Sequence, residues 1–82
     1  MKTEVKIHDD YFYYERVRKN IKKERKTAHL TQQELADKIG VSMHYISQIE
    51  SEKTIKYFTL SIIGRIADVL EIDIRELFTP TE

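Results

Sequence analysis

The stretch from Thr31 to Ser51, TQQELADKIGVSMHYISQIES, constrains this chain more than any other. It sets two short amphipathic segments on either side of a single glycine. Thr31 is a good N-cap, and Glu34 three residues on completes a capping box, so a helix starts there. Leu35, Ala36 and Ile39 give that helix one apolar face. Gly40 enters the left-handed backbone region without a Cβ clash, which stops the helix and turns the chain. Val41 tucks into the turn, Ser42 caps a second helix, and Ile46 and Ile49 form its inner side. The small side chain of Ala36 suits two helices that cross steeply over a short turn. The pattern predicts a helix-turn-helix whose second helix leaves one face free.

Eighty-two residues, 40% of them apolar, suffice for one small domain with a single core. No apolar run is long enough to span a bilayer and none has the form of a signal peptide, so a cytoplasmic protein is expected. The chain has no cysteine, which removes disulfides, thiol nucleophiles and Cys-based zinc sites. Two glycines and one proline leave little for hairpins or a glycine-rich phosphate loop, and an all-α fold is expected. The formal net charge is zero, but it is unevenly placed. Residues 16–56 hold ten Lys/Arg against five Asp/Glu, a net of +5. Residues 1–15 carry −2 and residues 57–82 carry −3. A basic middle that contains the helix-turn-helix is compatible with phosphate binding.

Residues 1–8 alternate weakly at Val5 and Ile7 and read as a tail, with an arm reaching a second subunit as the alternative. Asp9 or Asp10 can cap a first helix running to about Ala28, its apolar stripe being Tyr14, Val17, Ile21 and Ala28. Its cluster of Arg and Lys is by default a solvated face, but it leads straight into the helix-turn-helix. The aromatics Tyr11 to Tyr14 are expected to pack on the core rather than stack on bases. A loop with Lys53 and Lys56 follows Glu50. Thr59 caps a fourth helix with Leu60, Ile63, Ile66, Ala67 and Leu70 inward, and Gly64 within it marks close packing or a weak point. Asp73 and Glu76 suggest a capping box for a short fifth helix, and residues 79–82 form a tail.

These residues in this order, LTQQELADKIGVS…YISQIE and then LSIIGRIADVLEIDIRELF, resemble the phage Cro/repressor-type helix-turn-helix family, also called the Xre family. The likeness covers about residues 16–78 and implies a five-helix lambda-repressor-like fold, with the domain at 9–78 and double-stranded DNA as partner. It implies that Gln32 and the N-terminus of its helix meet a phosphate. It places the helix at about 42–51 in the major groove, where Met43, His44, Ser47 and Gln48 would contact bases. Gln48 can pair with adenine, and Met43 can meet a thymine methyl. No Arg or Lys lies on that face to read guanine, so an A/T-leaning half-site is expected. Ser42, Ser51, Lys53 and Lys56 would contact the backbone. Arg25 and Glu50 match positions where phage repressors of this kind keep a mostly buried ion pair.

The chain also departs from the family. Glu52 stands where a glycine is frequent, so either a left-handed glutamate is strained there or the helix ends differently. Glu24 replaces a common leucine. One short recognition helix reads too few base pairs to define a site, so a homodimer is expected, with half-sites about 34–36 Å apart. No separate oligomerisation domain is evident. The expected interface is therefore Ile55, Tyr57, Phe58, Leu77 and Phe78, with the N-terminal segment as second choice. His8, His29 and His44 share no metal spacing. No nucleophile–base pair is visible, so no enzyme, cofactor or metal is expected, and no small-molecule effector is evident. The expected function is a dimeric transcriptional repressor reading a partly palindromic operator. The alternatives are an antitoxin or other protein-interaction module, and an activator like restriction–modification controllers.

Overall fold

The computed structural model describes residues 4–81; residues 1–3 of the expected N-terminal tail and residue 82 of the C-terminal tail lie outside it. The described residues form four α-helices and a closing 3-10 helix, with no strand. The helices are α1 (Phe12–Thr27), α2 (Gln32–Ile39), α3 (Met43–Glu50) and α4 (Leu60–Leu70), and the 3-10 helix is Ile74–Phe78. The expected fifth α-helix is therefore this single tight segment. Asp73 explains part of the difference: its carboxylate accepts from the Arg75 backbone and side chain, not from Glu76.

The helix-turn-helix is built by local chemistry. The Thr31 hydroxyl accepts from the Glu34 backbone at 3.0 Å, and the Glu34 carboxylate accepts from the Thr31 backbone at 2.8 Å. Gly40 takes φ +79° at the C-cap of α2, where its N–H and that of Val41 both donate to the Ala36 carbonyl. Arg65 on α4 also donates to the Ile39 carbonyl at 3.4 Å. The Ser42 hydroxyl then accepts from the Tyr45 backbone and starts α3. At α1, by contrast, Asp9 accepts from the Tyr11 backbone at 2.8 Å, so the helix itself starts one residue later, at Phe12.

One core joins the elements: Val17 and Ile21 of α1, Leu35, Ala36 and Ile39 of α2, Ile46 and Ile49 of α3, the inward face of α4, and Leu77. Asn20 is buried in the α1 stripe and donates from Nδ2 to the Leu77 and Thr79 carbonyls at 3.1 and 2.8 Å. One amide thus fastens the 3-10 helix to α1. Two expected core positions are corrected. Ala28 is exposed because it is the C-cap, past the last turn. Leu60 is 70% exposed because it opens α4, before the helix meets the core.

Of the two outcomes open at Glu52, the structure shows the different helix ending. Helix α3 ends on Ser51 in an extended conformation, so Glu52 avoids the left-handed region. The non-glycine residues at positive φ are His29 (59°) and Glu71 (57°), each just after a helix. At Glu71 the turn closes through Ile72 N–H to Ala67 C=O at 3.1 Å. Gly64, for its part, has open space where a Cβ would stand, so it is a weak point and not a packing contact.

Gly64→Ala should stabilise the fold by about 0.5–1 kcal/mol through helix propensity. Glu71→Gly should stabilise it by a similar amount, about 1 kcal/mol, by relieving the left-handed strain. Urea unfolding of both variants checks this pair. The hydrogen bonds from Thr31 hold the Glu34 carboxyl below its ordinary value near 4.5. A group depressed in the folded state stabilises above its unfolded pKa and loses that contribution as pH falls through the folded one. Glu34→Gln should therefore flatten the loss of thermal stability below about pH 4.5, measured by melts in acid buffers.

Candidate nucleic-acid interface

Helix α3 presents its free face through simple periodicity. Ile46, Ile49 and Glu50 are buried, at spacings of three and four residues. At 100° per residue, His44, Gln48 and Ser51 then point most directly away from the core, with Ser47 and Met43 flanking one side. His44 is exposed and Met43 largely so, while Ser47 and Gln48 are half-buried at the edges of the surface. All four expected base-reading residues share this face. Ser42 lies at its start with its hydroxyl engaged as cap, and Ser51 at its end accepts from the Lys53 backbone at 3.1 Å.

The inward edge of this surface is fixed by a buried ionic network. Arg25 of α1 donates from Nε and Nη2 to the two carboxylate oxygens of Glu50, at 2.7 and 2.8 Å. Both residues are buried. The third arm of the guanidinium reaches the Leu30 carbonyl at 2.7 Å. The hydrogen bond to Glu50 raises the Arg25 pKa, against the opposing effect of burial, so the cation persists. Gln32 donates from Nε2 to Glu50 Oε1 at 3.0 Å, and Arg18 donates to the Glu50 carbonyl at 3.4 Å. Two elements therefore converge on the last residue of α3: α1, through two of its turns, and the first residue of α2. The amide nitrogen of Gln32 is engaged inward, which leaves its carbonyl oxygen and the helix N-terminus to face outward.

Beside this network lies a polar concavity of about 280 Å³ lined by Lys22, Gln32, Ser47, Glu50, Ser51, Glu52 and Lys53. Lys22 was not singled out from sequence for this place. Its signal was present, because Arg18, Lys22 and Arg25 fall at i, i+4 and i+7 on one face of α1. Lys53 is exposed. Lys56 is half-buried, and its ammonium lies 5.4 Å from the Tyr45 ring, on the flank of α3. Glu52 adds a negative charge to the same rim.

The loop 51–59 is held by aromatics from α1. Tyr57 meets Tyr14 edge-on at 4.8 Å and Tyr11 at 5.9 Å, and Phe58 meets Tyr14 at 4.9 Å. The neighbouring Tyr11 hydroxyl pushes the Tyr57 phenol up to about 12. Part of the Tyr11–Tyr14 cluster thus anchors the loop that carries Lys53 and Lys56. Among the residues expected to pair two copies, Ile55, Tyr57 and Phe58 lie on this loop, and Ile55, Tyr57 and Phe78 are exposed. Leu77 is corrected: it is fully buried against α1 and α4, so it cannot face a partner. Among the described residues no group of three His, Cys, Asp or Glu could hold a metal ion, and no helix is long and apolar enough to cross a membrane.

The HTH_3 helix-turn-helix family model matches residues 21–77, and the chain belongs to this family of Xre-type helix-turn-helix domains. Together, fold and family make it a DNA-binding domain of the transcription-regulator class. Among solved structures it is similar to the crystal structure of a hypothetical transcription factor, NHTF, from Neisseria. That likeness has a TM-score of 0.76 at 23% identity, covering 96% of this chain and 88% of the other. No curated protein shows significant similarity to the sequence.

Removing one partner of the buried pair strands the other charge. Glu50→Leu should therefore cost on the order of 3–5 kcal/mol of unfolding free energy. Arg25→Met combined with Glu50→Leu should cost less than the two single losses added together. Chemical denaturation of the four proteins of this cycle measures both.

Proposed function

We propose that this protein is a sequence-specific transcriptional regulator that binds double-stranded DNA as a homodimer, with α3 in the major groove. Repression of a promoter that overlaps a partly palindromic operator is its output. The observation that carries the reading is the outer face of α3, where His44 and Met43 are exposed and Ser47 and Gln48 are half-buried beside them, while the opposite face is locked by Ile46, Ile49 and the Arg25–Glu50 pair. A helix held this rigidly, with short polar side chains outward, suits base edges in a wide groove. Gln48 and Met43 fit adenine and a thymine methyl, and the absence of Arg and Lys from this face favours an A/T-leaning half-site.

Backbone contacts come from the surrounding groups: the N-terminus of α2 at Gln32, the hydroxyls of Ser42 and Ser51, and Lys53 and Lys56 on the loop. The engagement of Gln32 with Glu50 supports a role for that residue in positioning as well as in binding, because one side chain joins the ion pair to the phosphate face. Two copies double the contacts and set two half-sites about one helical turn apart, roughly 34–36 Å. Ile55, Tyr57, Phe58 and Phe78 lie on the loop and closing helix and supply apolar surface for pairing.

Selection of bound sequences from random duplexes, repeated at two salt concentrations, tests the reading. Gln48→Ala and Ser47→Ala should relax base preference at one or two positions, each with a loss of about 1–3 kcal/mol of discrimination. Lys53→Ala should weaken all sequences alike and lower the slope of log affinity against log salt by about one. Unchanged discrimination in the α3 variants, or a guanine-rich consensus, would reject α3 as the reading element.

A further inference from the structure

An apolar groove of about 190 Å³ lies away from α3, lined by Tyr13, Tyr14, Phe58, Leu60, Ile63 and Phe78. Leu60 stands at its mouth, 70% exposed, with Tyr13 and Phe78 also open to solvent. The N-terminal segment leaves a second unpartnered apolar group. Val5 is 82% exposed and Ile7 91%. They are two residues apart, so in an extended chain both side chains fall on one side, with Glu4 and Lys6 on the other. An arm with one apolar edge faces open water, and a groove with matching chemistry stands empty of side chains.

The arm does not occupy the groove of its own chain. The His8 ring stacks on Phe12 at 3.6 Å and meets Tyr13 edge-on at 5.7 Å, which pins the chain at the groove rim. Residues 4–7 lie away from the body, and the described residues span 52 Å along one axis against 25 and 23 Å along the others. Helix α1, the longest element, accounts for only about 24 Å of that length.

We propose that the groove receives residues 4–8 of a second copy of this chain, and that two copies exchange arms symmetrically. This deepens the dimer reading above and rests on it. Size favours the exchange. A groove of about 190 Å³ is large enough for two aliphatic side chains, and the arm offers two on one edge, Val5 and Ile7, so these are the residues that anchor it. Charge agrees as well: the Arg16 guanidinium lies 5.4 Å from the Tyr13 ring, a cation at the rim beside which Glu4 of the incoming arm can sit. Reciprocal exchange fills both grooves and closes the assembly at two copies.

The chain has no native cysteine, which makes directed cross-linking clean. Ile7→Cys and Leu60→Cys proteins, prepared separately, mixed and oxidised, should form a covalent dimer containing one copy of each. Ile7→Asp, at a position that touches no core, should raise the dimer dissociation constant at least tenfold in sedimentation equilibrium while its circular dichroism stays unchanged. Leu60→Glu should do the same. A dimer that survives Ile7→Asp and Leu60→Glu overturns the arm exchange and leaves the dimer reading standing. So does a chain carrying both cysteines that closes on itself at dilute concentration. Wild-type protein that sediments as a monomer at every concentration, alone and with DNA, overturns both.

Discussion

The end of α3 is tied to both α1 and α2 through the carboxylate of Glu50. It is buried at the last residue of α3, and its two oxygens are shared between the Arg25 fork and the Gln32 amide. A buried charge is tolerated only where its partner is close and its lone pairs are engaged, and here both conditions hold. The geometry this imposes matters more than its net energy. A guanidinium donates to both oxygens of a carboxylate in one plane, which favours one mutual orientation of α1, the start of α2 and the end of α3. The apolar contacts of Leu35, Ala36, Ile46 and Ile49 add burial without direction; this contact adds direction.

The flank of that surface is organised differently. Loop 51–59 has no helix of its own, and aromatic rings set its course. Tyr14 is the pivot, touching both Tyr57 and Phe58. The basic residues of the loop therefore hang from α1, the same helix that carries Arg18, Lys22 and Arg25. A helix that reads as a solvated cationic rod in sequence is, in the fold, the frame for both edges of the recognition helix. Charge separates accordingly. The exposed acids Asp68, Glu71, Asp73 and Glu76 belong to the end of α4 and the segment after it, which packs on α1 and α4.

Local rules carried a long way in this chain. The capping box at Thr31, the glycine turn at 40, and the caps at Ser42 and Thr59 depend on groups within four residues of one another, and each appears as the sequence indicates. The same rules failed where an element ended or where a partner lay far off. Leu60 has the right period for the core but sits too early in α4 to reach it. Leu77 has the look of a surface hydrophobe near the end of the chain, yet Asn20, distant in sequence, pulls its segment inward. Of the two outcomes open at Glu52, α3 takes the different ending, through the extended Ser51, while the left-handed non-glycine residues stand at His29 and Glu71, after α1 and α4.

What the sequence settled by itself was the helical class, the order of the first four helices, though not the 3-10 form of the fifth, and the side of α3 that faces out. Those follow from periodicity and capping, both short-range. Only the tertiary structure decided that Arg18 and Gln32 join the Arg25–Glu50 pair, that Lys22 lines the polar concavity beside α3, and that the aromatic cluster holds the loop. It also decided that the Tyr13–Leu60–Phe78 groove and the Val5–Ile7 edge stand uncovered. Such facts depend on which distant residues the folded chain brings within a few ångströms, and spacing along the chain does not carry that information.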